Sequence, residues 1–114
     1  MAVTILAEDG IWTIPPRSPK ESAYRIVRRA DDRWVAQATT AERYADGGDW
    51  FPPFASVFTA EEACTALIRR MATQIKDRAY LDETAREITG LTGAPPAPGA
   101  ARRHSRWRRA RRPG

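Results

Sequence analysis

The phrase Thr59-Ala60-Glu61-Glu62 constrains the fold more than any other part of this chain. It has the form of a capping box, with a hydroxyl for the third helical amide and a glutamate reaching back. Two glutamates also suit the positive end of a helix dipole. Cys64, Leu67, Ile68, Met71, Ala72 and Ile75 follow at i, i+3, i+4 and i+7 spacings, the stripe of a helix with one buried face. Such a face needs an apolar surface to cover. The preceding sequence offers period-2 alternation, so the expected partner is a sheet.

Two hairpins can be placed by parity. With Asp9-Gly10 as a two-residue type I′ loop, Glu8 opposes Ile11, Ala7 opposes Trp12 and Ile5 opposes Ile14. Val3, Ile5, Ala7, Trp12 and Ile14 then share one face. Pro15, Pro16 and Pro19 end that strand. The second hairpin runs from about Ala23 to Thr40 and needs an odd loop, such as Asp31-Asp32-Arg33, to gather Tyr24, Ile26, Trp34, Ala36 and Ala38. No Gly or Asn stands in that loop to take a left-handed position. The opposite face carries Arg25, Val27, Arg29, Val35, Gln37 and Thr39.

Ala41–Pro53 reads as a loop, Phe54–Phe58 as a short strand, and Phe58 as a hydrophobic staple onto Ala63. Beyond Arg78 the apolar stripe shifts to Leu81, Ala85 and Ile88, so the helix bends near Lys76–Tyr80 or a second one begins. The expected fold is α+β: about five short antiparallel strands on one main helix, Ala60–Arg78, with a shorter helical continuation to about Thr89. Residues 1–92 form the domain, 93–100 (Gly-Ala-Pro-Pro-Ala-Pro-Gly-Ala) a linker, and 101–114 a disordered basic tail.

Charge is divided along the same boundary. Residues 1–100 hold 12 Lys+Arg against 14 Asp+Glu, a net of −2. Residues 101–114 hold seven arginines and no acid, a net of +7. A weakly acidic body with a cationic tail invites a polyanionic partner. Cys64 alone excludes an internal disulfide framework, and no apolar run approaches the roughly 20 residues of a membrane span. With an N-terminus unlike a signal peptide, the expected location is the cytoplasm. His104, the one histidine, lies in the tail, so a His-based dyad, triad or zinc site has no place in the body. No Gly-rich phosphate loop is present. The expectation is a non-enzyme without cofactor or metal.

Three groups of residues are candidates for binding. Arg102, Arg103, Arg106, Arg108, Arg109, Arg111 and Arg112 offer bidentate phosphate contacts, and Trp107 offers a stacking surface. This stretch resembles the arginine-rich peptides that fold onto RNA, which implies a mode of contact. It is poor as a membrane element, because Trp107 is nearly its only large apolar group. The bland reading of the same residues is an unselected tail from a GC-rich gene.

Arg25 and Arg29, on the outward face of the second hairpin, form the second candidate. A strand hairpin leading into Phe58-Thr59-Ala60-Glu61-Glu62-Ala63 resembles the arm-site DNA-binding modules of phage-type integrases, which show Phe-Thr-x-x-Glu-Ala there and lay a sheet in the major groove. That resemblance implies DNA contact through the sheet and a phage or mobile-element origin. The bland reading is a solvated sheet face.

Trp50, Phe51 and Phe54, around the rigid Pro52-Pro53 step, form the third: a protein-docking anchor for an inhibitor or adaptor, or, in the bland reading, a loop whose Trp50 and Phe51 fold back as a lid over the core. The leading expectation is a small nucleic-acid-binding accessory protein, and the runner-up is a protein-interaction module.

Overall fold

A computed structural model describes residues 3–94. Five strands, β1 (Leu6–Glu8), β2 (Ile11–Ile14), β3 (Ala23–Arg28), β4 (Trp34–Thr39) and β5 (Ala55–Val57), form one antiparallel sheet in sequential order. Three helices accompany it: α1 (Ala41–Ala45), α2 (Ala60–Ala72) and α3 (Arg78–Thr92). The α+β class read from the sequence is the class observed.

The first hairpin has the expected register, with Ala7 opposite Trp12 and Glu8 opposite Ile11. Asp9 and Gly10 both adopt positive φ, 49° and 78°, as a type I′ loop requires. In the second hairpin the expected face is buried, with Tyr24 opposite Ala38 and Ile26 opposite Ala36. Its loop is odd, as expected, and is Ala30-Asp31-Asp32, one residue earlier than Asp31-Asp32-Arg33. The Arg29 amide donates to the Arg33 carbonyl at 2.7 Å and the Asp32 amide to the Arg29 carbonyl at 3.0 Å. Asp32 takes the left-handed position at φ 63°, which aspartate tolerates better than most residues. Both loops are odd, so the inward set is the same in either.

The inner face stacks Trp12 on Trp34, with ring centroids 5.5 Å apart. Ala36 and Ala38 keep β4 low beneath α2, whose Ala63, Cys64, Leu67 and Met71 are buried. The capping box forms as expected: the Glu62 amide donates to Thr59 Oγ1 and the Thr59 amide to Glu62 Oε1, each at 3.1 Å. Phe58 does not staple onto the helix. It is 68% exposed and lies against the Arg33 guanidinium.

The single main helix to Arg78 is corrected to two helices of similar length. α2 stops at Thr73, and Asp77 begins α3 by accepting from the Tyr80 amide at 3.1 Å. The intervening turn is fixed to the sheet, since Gln74 Oε1 accepts from the Ser22 amide at 3.1 Å and the Tyr24 hydroxyl at 2.8 Å. α3 packs on α2 and adds Tyr80, Leu81 and Ile88 to the same core. It ends at Gly93 in the left-handed conformation, φ 77°.

Candidate functional site

The outer face of the sheet collects the polar side chains that the core rejects. Pairing places Thr13 beside Arg25 and Arg25 beside Gln37 in one row across β2, β3 and β4. This face is not the open surface expected. Thr39 and Val35 on it are buried, and the segment leading to β5 crosses it. Thr39 Oγ1 donates to the Asp49 carbonyl and Gln37 Nε2 to the Phe51 carbonyl, each at 3.1 Å. The Phe51 and Phe54 amides continue along β4, donating to the Ala38 and Ala36 carbonyls at 3.1 and 2.9 Å.

The residues predicted to be loop before that crossing include a short helix, α1. Thr40 caps it by accepting from the Arg43 amide at 3.1 Å. None of its residues is buried, so it carries no apolar stripe from which sequence could find it. Its Tyr44 meets Trp50 edge-on, with centroids 6.1 Å apart. Trp50 in turn lies 4.4 Å from the Arg25 guanidinium.

Arg25 is therefore held from two directions. Its Nε donates to Gln37 Oε1 at 2.9 Å, while the Trp50 ring lies against its guanidinium. Burial pushes its pKa down from the ordinary arginine value, which still leaves it cationic at neutral pH. Among the described residues no carboxylate lies within ion-pair distance of it. A cleft of about 310 Å³ opens beside it, between the β1–β2 hairpin and the rings of Tyr44 and Trp50.

Arg29 does not join this site. Its Nε is 3.7 Å from Asp31 Oδ1, and it lies just past the end of β3, beyond Val27. The third candidate set also divides. Trp50 covers the outer-face Arg25, whereas Phe54 packs against the inner core and under Arg70, 4.6 Å from its ring centroid. Phe51 stays 40% exposed beneath Arg43. Trp50 and Phe51 lie outside the core cluster and so do not close it as a lid, and the three rings do not form a single docking patch. The pairing of Arg25 with Trp50, residues placed in separate candidates by sequence, is what the fold brings together.

Six arginines stand over aromatic rings in the described residues: Arg17, Arg25, Arg28, Arg33, Arg43 and Arg70. Significant contacts of this kind usually occur about once per 70–80 residues. These arginines are distributed over the two sides and the turn end of the sheet and do not form one basic stripe. Arg102, Arg103, Arg106, Trp107, Arg108, Arg109, Arg111, Arg112 and His104 lie outside the described residues.

Cys64 is buried with its Sγ 3.4 Å from Thr92 Oγ1, and burial pushes its thiol pKa up, which disfavours the nucleophilic thiolate. Among the described residues no group of three His, Cys, Asp or Glu side chains is placed to hold a metal. No helix among them is long and apolar enough to cross a membrane. Comparison with family models, curated proteins and solved structures gives no significant match to this chain.

Proposed function

We propose that this chain is a small, non-enzymatic nucleic-acid-binding accessory protein whose affinity resides in its arginine-rich tail. One observation carries this reading: seven arginines and no acid in residues 101–114, attached to a body of net charge −2. Guanidinium groups meet phosphate oxygens with two parallel hydrogen bonds, and Trp107 adds a ring on which a base can stack. The body supports this assignment by contrast. Arg25 is engaged by Trp50 and Gln37 and Arg29 by Asp31, so the sheet offers no continuous row of cations for a duplex. The cytoplasm, and a phage or mobile-element setting, fit the same reading. A protein-docking role draws less support, because Trp50 and Phe54 serve opposite sides of the sheet.

The test compares the full chain with a full-length variant in which the seven tail arginines become glutamine. Duplex DNA and RNA hairpins are titrated across a salt series. If all seven arginines meet duplex DNA phosphates, log K falls against log salt with a slope near −6. The glutamine variant should lose both the affinity and the slope. Salt-sensitive binding retained by the variant would move the interface to the body.

A further inference from the structure

The cleft beside Arg25 is independent of the tail and has chemistry of its own. Its floor is Thr13 and Arg25, its aromatic wall is Tyr44 and Trp50, and its opposite wall includes Leu6 and Glu8. β1 supplies the last two through strict alternation: Leu6 opposes Thr13 and Glu8 opposes Ile11, so both point to the outer face.

An arginine has five N–H donors, and Nε is already committed to Gln37. The four Nη hydrogens form a fork, and the guanidinium carbon lies 4.4 Å from the Trp50 ring centroid. Arg25 is only partly buried, and among the described residues none of its Nη hydrogens is taken up by a hydrogen bond or an ion pair, so they remain open to a ligand. A positioned fork of this kind matches a planar carboxylate with two parallel hydrogen bonds. The rest of the cleft selects what that carboxylate is attached to. The volume of about 310 Å³ lies at the small end of ligand sites. Two rings and the half-exposed Leu6 favour a flat apolar body. Glu8 and Asp9 on the rim weaken the site for any anion, and weaken it more for a phosphate dianion or a phosphodiester strand than for a single carboxylate.

We propose that this cleft is a binding site for a small monocarboxylate with a flat apolar body, seated with its carboxylate on the Arg25 fork and its body between Leu6 and the Tyr44 and Trp50 rings. Gln37 and Trp50 already contact the guanidinium, and Tyr44 meets Trp50 edge-on.

Benzoate is the probe, titrated into the full-length protein while side-chain and backbone NMR shifts are followed. The expected result is a saturable shift at the Arg25 Nε–H, the Thr13 amide and the Trp50 indole, with a Kd below about 10 mM, equivalent to roughly 3 kcal/mol. Arg25→Lys keeps the charge and loses the fork, and should weaken binding at least about tenfold. Inorganic phosphate and a six-residue thymidine oligonucleotide should leave these three signals unchanged. Absence of saturation with benzoate overturns the proposal, and the wild-type titration decides this even if the variant fails to fold. Equal binding by Arg25→Lys overturns the fork, while a stronger cleft response to phosphate or oligonucleotide overturns the carboxylate assignment. Shifts confined to residues 101–114 would show only anion pairing with the tail, and the proposal would again be lost.

Discussion

Arg17 shows how individual charges are used in this body. Its guanidinium lies 3.7 Å from the Tyr80 ring centroid, its Nε donates to Glu21 Oε2 at 3.0 Å, and its Nη1 reaches Asp77 Oδ2 at 3.5 Å. The Arg17 hydrogen bonds hold the Glu21 carboxyl below its ordinary value of 4.5, against opposing effects of burial and Asp77. A depressed carboxyl pKa contributes stability that is complete above the unfolded value and declines as pH falls through the folded one. Glu21→Gln should therefore be less stable than the parent at neutral pH, with the difference closing below pH 4.5. Urea midpoints measured from neutral to acidic pH check this, and a constant difference across the range would contradict it. Asp32 gives the complementary lesson about legibility. The expectation that a loop without Gly or Asn lacks a left-handed residue overlooked aspartate, and the loop moved one position to use it.

At the scale of elements, what alternated or repeated on a buried face was readable. The DG turn, the inward set of the second hairpin and the capping box before α2 all follow from local chemistry that tertiary contacts reinforce. The break between α2 and α3 left a signal too. The apolar stripe loses phase after Ile75, and Asp77 is a ready N-cap. α1 and the crossing of the outer face left none, because a five-residue helix with no buried side chain and a segment tied by carbonyl hydrogen bonds have no hydrophobic period. This difference sets the expected cost of mutation. Leu67 is fully buried at the sheet–helix contact, so Leu67→Ala should cost about 2–5 kcal/mol. Trp50→Ala should cost less, since Trp50 lies outside the core cluster, and should free the Arg25 side chain. Thermal unfolding of the two variants in parallel checks the ranking. Collapse of Trp50→Ala alone would make the crossing segment part of the core.

The whole molecule divides by charge more sharply than by fold. Its body has a near-balanced charge and folds its arginines onto its own rings and carboxylates, while all seven cations of residues 101–114 are unopposed by any acid in that stretch. Tail-mediated binding would therefore give the protein broad, salt-sensitive affinity, leaving the Arg25 cleft for a different ligand. The arm-site resemblance instead expects the sheet to contact DNA through Arg25 and Arg29. A residue-resolved NMR titration of the full chain with a short duplex separates these possibilities. Shifts concentrated in residues 101–114, with Thr13, Arg25, Gln37 and Trp50 unmoved, are the expected result. Saturable shifts across that row of the sheet, with the tail signals unchanged, would contradict the account.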